Sequence, residues 1–187
     1  MKVNVGVSQR HVHLTLDDVE KLFGKGYELT KKVDLSQPGQ FACNETVTIQ
    51  GQKGCIEKVR VLGPVRSKTQ VEVSKTDTFK LGITPPVRNS GDLDDAFEIT
   101  IIGPSGTIVK NAAIIATRHL HATYEDAKKY GFLDKKFVSI VVNGEKPGIL
   151  NNVHIRLDDN FKLEIHLDTD DANAFLIKQN DEIEMII

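Results

Sequence analysis

The stretch Arg10-His11-Val12-His13-Leu14-Thr15-Leu16-Asp17-Asp18-Val19-Glu20-Lys21 returns later in the chain. It reappears without a gap as Arg118-His119-Leu120-His121-Ala122-Thr123-Tyr124-Glu125-Asp126-Ala127-Lys128-Lys129. The arginine, both histidines, the threonine, the second acid and the final lysine are identical. A repeated segment means that the chain solves one local packing problem twice. An apolar run precedes each copy: Val3, Val5 and Val7, then Ala112 through Ala116. On an extended segment, His-x-His projects two imidazoles from one face, because the strand period is two. Thr15 and Thr123 then read as helix N-caps, with Asp18 and Asp126 three residues on as a weak capping box. The helices are predicted to run to about Phe23 and Tyr130, with Gly24 and Gly131 as terminators. Each copy is strand, histidine pair, capped helix.

Around the copies, short alternating Val/Ile/Thr runs predict strands. They include Thr46 to Ile49, Gln70 to Val73, Phe97 to Ile101, Phe137 to Val142, Lys162 to His166 and Glu182 to Ile187. A hairpin is expected from Val153 to Leu167, and a last capped helix begins at Thr169. The predicted class is mainly β: two small β-barrel domains with short capping α-helices and a pseudo-repeat of strand, His-x-His and helix. Residues 1–43 and 117–187 are expected to form the first barrel, discontinuous in sequence. Residues 44–116 are expected to form the second.

The 187 residues carry a net charge of -2, so there is no global basic footprint for nucleic acid. No apolar run has the length to cross a bilayer. Cys43 and Cys55 make neither a disulfide framework nor a Cys-x-x-Cys pair, which points to a reduced, cytosolic protein. Four of the six histidines fall in the two pairs. A single His-x-His is an ordinary strand feature, but two in matching contexts point to shared metal ligation of the zinc type. His166, in the alternating strand Leu163 to Leu167, is either a further ligand or a solvated residue. Nothing around His154 repeats the pattern.

Two segments suit anions. In one, Arg66 stands at the mouth of a strand on which Gln70 and Glu72 share a face. The other is the rigid Pro85-Pro86-Val87-Arg88-Asn89-Ser90-Gly91 loop. Arginine binds phosphate in a planar, bidentate way, although a mixed-charge edge strand is the commoner fate of such a segment. There is no P-loop, no dinucleotide fingerprint and no nucleophile elbow.

Ser8-Gln9-Arg10-His11-Val12-His13-Leu14, Gln37-Pro38-Gly39, Arg66-x-x-x-Gln70-Val71-Glu72, Arg88-Asn89-Ser90-Gly91 and Arg118-His119-Leu120-His121 occur in order along essentially the whole chain. Together they resemble the PduL-type phosphate propanoyltransferases (phosphotransacylases). The resemblance implies reversible transfer of a short acyl group, propanoyl or acetyl, between coenzyme A and inorganic phosphate. It implies two zinc ions per chain. His11 and His13 would serve one, which would also receive the coenzyme sulfur. Glu72, His119, His121 and His166 would serve the other. Arg66, Gln70 and Ser90 fall on catalytic positions, Arg66 and Arg156 on phosphate-binding ones, and Gln37, Lys75 and Phe79 on positions bordering coenzyme A. Relatives housed in bacterial microcompartments often carry an N-terminal extension. Only Met1 to Val7 precede Ser8 here, which favours a free cytoplasmic enzyme unless a partner carries it into a microcompartment. A homo-oligomer is expected; nucleic-acid and membrane partners are not.

Three other readings are open to the same residues. Gly6, His11, His13, Asp17 and Gly24 approximate a cupin signature with Asp in place of Glu, hence a metal oxygenase. A zinc-dependent thioester or phosphoester hydrolase would use the same ligands, and a structural metal-binding module would close both sites. On the phosphotransacylase reading, His154→Ala leaves activity near that of the parent, whereas losing either member of a histidine pair costs orders of magnitude. Steady-state rates of the purified variants check this.

Overall fold

The computed structural model describes Met1–Ile187. In chain order the elements are β1 (Lys2–Ser8), β2 (His11–His13), α1 (Leu16–Phe23), β3 (Lys31–Asp34), β4 (Phe41–Gln50), β5 (Cys55–Gly63), β6 (Gln70–Glu72), α2 (Lys75–Leu81) and β7 (Val87–Arg88). There follow β8 (Phe97–Ile102), β9 (Thr107–Ala116), β10 (His119–Ala122), α3 (Tyr124–Tyr130), β11 (Phe137–Val142), β12 (Gly148–Leu157), β13 (Glu164–Asp168), α4 (Thr169–Ala174) and β14 (Glu182–Ile186). None of the helices is long and apolar enough to cross a membrane.

The chain forms two compact units. The first, Met1–Gln9, Ser36–Pro38 and Thr117–Ile187, is a closed barrel in the order β1-β13-β10-β12-β11-β14. The second, Arg10–Leu35 and Gly39–Ala116, closes in the order β4-β5-β2-β6-β9-β8, with β3 added at β4 and β7 at β9. Each barrel is filled by its own apolar set: Val12, Val61, Val71, Ile99 and Ile101 in one, Val5, Leu120, Val153, Ile140 and Ile165 in the other. Closure leaves few free strand edges, which is how small all-β units avoid edge pairing.

The two barrels share one topology. The histidine strand lies between a parallel and an antiparallel neighbour in each: β2 between β5 and β6, β10 between β12 and β13. The remaining pairings correspond, with β4 matching β11, β8 matching β14 and β9 matching β1. The second copy therefore completes its barrel with the strand that begins the chain.

Two expectations change. Residues 10–35 and 39–43 pack in the second unit rather than the first, because β2 hydrogen-bonds between β5 and β6 and α1 packs on β9. Only β1 and the short Ser36–Pro38 segment are given to the first barrel from that stretch. The expected hairpin between β12 and β13 does not form, since β10 lies between them. Alternation marks a strand's faces but carries no information on its neighbours.

The arginine that precedes each histidine pair has a structural partner. Arg10 meets Asp77 at 2.7 Å and Arg118 meets Asp171 at 3.0 Å. Asp77 and Asp171 are both the third residue of a capped helix, following N-caps Ser74 and Asp168. Thr15 and Thr123 cap α1 and α3 as the sequence predicts, and Asp126 completes a capping box with Thr123. Asp18 does not. Its buried carboxylate instead accepts from Thr69 Oγ1 and pairs with Lys110 at 3.1 Å, tying the start of α1 to the residue before Gln70.

Burial alone would raise the Asp18 carboxyl, but Thr69 and Lys110 outweigh it and hold it below the ordinary value. A depressed carboxyl contributes stability above its unfolded pKa of about 4, and that contribution is lost as pH falls through the folded value. Asp18→Asn is expected to lower the urea midpoint at pH 7 by an amount equivalent to roughly 1–3 kcal/mol. The gap between parent and variant narrows below about pH 4.

Candidate metal and anion sites

The outward face of each histidine strand carries a cluster. The apolar residues between the paired side chains, Val12, Val71, Leu120 and Ile165, point into the barrels, so the polar ones face out. On the second unit, register places His11 opposite Glu72 and His13 opposite Gln70. On the first, it places His119 opposite His166 and His121 opposite Glu164. Glu72 and His166 thus occupy equivalent places, as do Gln70 and Glu164.

Two groups of three donor side chains result: His11, His13 and Glu72, and His119, His121 and His166. Within each group one ligand atom per residue lies within 4.8 Å of the others. Glu72 stands 3.5 Å from His11, so the structure gathers it with the first pair, where the family resemblance grouped it with His119, His121 and His166. The donor chemistry fits a divalent metal of the zinc type at both places, because imidazole and carboxylate are its usual nitrogen and oxygen ligands. His13 Nδ1 is buried without a hydrogen-bond partner. His119 Nδ1 lies 2.8 Å from Thr117 O, a contact that requires the proton on Nδ1 and leaves Nε2 as the lone-pair nitrogen.

Electrostatics keep the first group ready for a cation. Burial lowers the His13 imidazole well below its ordinary value, and His11 and Arg66 push it further, so the ring is neutral. Burial opposes ionisation of Glu72, but His11, by charge and hydrogen bond, and Ser90 hold its carboxyl well below the usual range.

Arg66, Gln70 and Ser90, read separately from the sequence, meet at this group. Gln70 Nε2 donates to Glu72 Oε1 at 2.6 Å and to Ser90 Oγ at 3.0 Å. Gln70 Oε1 accepts from Gly91 N–H at 2.7 Å. Gly91 has φ +97°, a turn that a side chain would strain, and the turn aims this N–H. Arg66 Nη1 reaches Ser90 Oγ at 3.5 Å, which places the guanidinium at the edge of the cluster. Arg88 is not part of this group; it folds back onto Asp94 O and Asp95.

In the first unit, Arg156 lies opposite His121 and over the Phe161 ring, 5.8 Å from its centroid. Phe161 stacks on His121 at 4.1 Å. Gln37, expected at coenzyme A, is buried and has both ends of its amide engaged. Its Oε1 accepts from Lys162 N–H at 3.1 Å, and its Nε2 donates to Lys162 O at 3.0 Å and to Glu164 Oε2 at 3.2 Å. On α2 of the second unit, Lys75 sits over Phe79, which is 73% exposed. His154 aligns with His119 in register but belongs to neither donor group. The sequence reading missed Glu164 and Phe161. Glu164 was visible as the residue two before His166 on an alternating strand; nothing local marked Phe161.

The family model described as phosphate propanoyltransferase matches residues 4–178. The chain belongs to the phosphate propanoyltransferase family. It is 54% identical over 184 residues to a phosphate propanoyltransferase of Thermotoga maritima, covering 97% of this chain and 88% of the relative. It is 59% identical over 180 residues to one of Priestia megaterium, covering 96% and 83%. A relative of the same name from Rhodopseudomonas palustris is 48% identical over 185 residues, covering 98% and 82%.

Gln70→Leu removes a buried donor from Glu72 and leaves Ser90 and Gly91 without their amide partner. It is expected to cost roughly 2–4 kcal/mol, from about 1 kcal/mol per lost bond plus the desolvated carboxylate. Urea unfolding of the metal-free protein measures it.

Proposed function

We propose that this protein is a metal-dependent phosphate acyltransferase. It exchanges a short acyl group, propanoyl or acetyl, between coenzyme A and inorganic phosphate. The observation that carries the reading is the meeting of Arg66, Gln70 and Ser90 beside the His11/His13/Glu72 group, in a chain of this family. His11, His13 and Glu72 would hold one zinc, and His119, His121 and His166 the second. When bound, zinc supplies Lewis acidity for a carbonyl or phosphoryl oxygen and a ligand position for a thiolate.

The chain's own residues do the rest. Arg66 offers a planar fork to phosphate oxygens, with the Ser90 hydroxyl as a second contact. Phosphate is a poor nucleophile when free, so holding it in register against the thioester is the first requirement. Gln70 keeps Ser90 and Glu72 in place. A phosphate oxygen forms a bond to the thioester carbon, the carbon–sulfur bond breaks, and coenzyme A leaves as the thiolate. Charge that develops on the carbonyl oxygen favours a fixed cation nearby, and Arg66 is the candidate. Lys75 and the exposed Phe79 form a cation–aromatic pair suited to the nucleotide end of coenzyme A. The coenzyme contact expected of Gln37 is set aside, because its amide is engaged by Lys162 and Glu164.

The oxygenase reading loses its carboxylate. Asp17 is exposed on α1 and paired with Lys21, away from the imidazoles. Cys43 is no nucleophile: burial and then Glu45 push its thiol up to about 11.

Thiol release from propanoyl-CoA and acetyl-CoA, with and without phosphate, on metal-replete and chelated protein, tests the activity. Release is expected only with phosphate and metal together; release without phosphate would make the protein a hydrolase. Arg66→Ala is expected to lower kcat/KM for phosphate by about 100-fold or more, with Arg66→Lys recovering only part, since a point charge does not replace the fork.

A further inference from the structure

Glu164 is outside the donor groups, yet three polar side chains hold its carboxylate. It is buried. Its Oε2 lies 2.6 Å from His166 Nε2 and also accepts from Ser36 Oγ at 2.5 Å and Gln37 Nε2 at 3.2 Å. Ser36 and Gln37 reach it from Ser36–Pro38, the one short segment that leaves the second unit to join the first. Gln37 is itself fastened by both ends of its amide to the Lys162 backbone. On the neighbouring strand, Gly6 leaves the space this arrangement needs. A Cβ there would meet the Glu164 carboxylate and the His166 ring, each at 3.3 Å.

The other barrel contains the same device. Gln70, equivalent in register to Glu164, hydrogen-bonds the donor two residues on, Glu72, and is held in turn by a loop, through Ser90 and Gly91. Both barrels thus place a polar side chain two residues before a donor, on the same strand face, and lock it with groups from a distant loop. Histidines that bind metals characteristically give their second ring nitrogen to such a partner, which fixes the ring's tautomer and orientation.

We propose that Glu164 is the positioning residue of His166, with Ser36 and Gln37 as its anchors and Gly6 as the gap that admits it. Glu164 occupies one ring nitrogen of His166 and presents the other to the metal of the His119/His121/His166 group. The role rests on the metal reading of that group. It gives the Ser36–Pro38 excursion a purpose: the segment orients a ligand.

The test reads metal rather than turnover. The full chain carries His13→Ala so that the first group is silenced. Zinc affinity is measured by competition with a chromophoric chelator, and the cobalt-substituted protein gives a ligand-field spectrum. Glu164→Gln is expected to weaken zinc binding about 10–100-fold while the cobalt band keeps its shape. Ser36→Ala, which leaves the carboxylate in place, is expected to weaken it less, and it serves if Glu164→Gln does not fold. Unchanged zinc affinity in both variants would overturn the proposal. A cobalt spectrum that loses intensity or changes form in Glu164→Gln would also overturn it, since Glu164 would then be a ligand. If the His13→Ala reference protein itself binds no zinc or cobalt, the metal reading of the group fails and the positioning role falls with it.

Discussion

Everything at the two sites depends on where the histidine strand sits. Each three- or four-residue strand lies between a parallel and an antiparallel neighbour, and the antiparallel register sets a donor directly across from the first histidine. A slip of one residue would turn both imidazoles into the barrel core and carry Val12 or Leu120 to the surface. The alternation of polar and apolar residues therefore fixes the cluster and the core together. The two arginines bind each histidine strand to the cap of the helix that follows its antiparallel partner, so the same few residues also set the strand ends.

The repeat was legible because it is written in residues whose roles are local. Thr15, Thr123, Gly24 and Gly131 act on their own helices, and the His-x-His spacing is a strand property. Strand existence was legible for the same reason. What the sequence did not carry was the order of strands around each barrel. Val153 to Leu167 reads as a hairpin because its two strands are adjacent in sequence, but β10 takes the place between them. The assignment of residues 10–35 went astray likewise: only β1 of the N-terminal region completes the barrel of the second copy, a long-range pairing with no local signal.

At the sites, the donor residues were visible from pattern and from family resemblance, but the register that sets Glu72 beside His11 was not. Glu72 joins His11 because β6 pairs with β2, a fact of topology. Arg66 and Ser90 lie in different loops, and only the Gln70 amide between them makes them neighbours. Gln37, expected at coenzyme A, is buried with its amide held by Lys162 and Glu164, a tertiary arrangement with no local signal. The arginine that precedes each histidine pair was visible as a repeated residue, and the structure gives each a structural ion pair.

The central claim is that one topological device, used twice, builds two groups of side chains fit to ligate a metal. Metal content per chain, measured on the parent and on His13→Ala, His121→Ala and the double variant, tests it most directly. Two equivalents in the parent, one in each single variant and none in the double variant are predicted. A parent with no bound metal, or a single substitution that leaves the content unchanged, would contradict it.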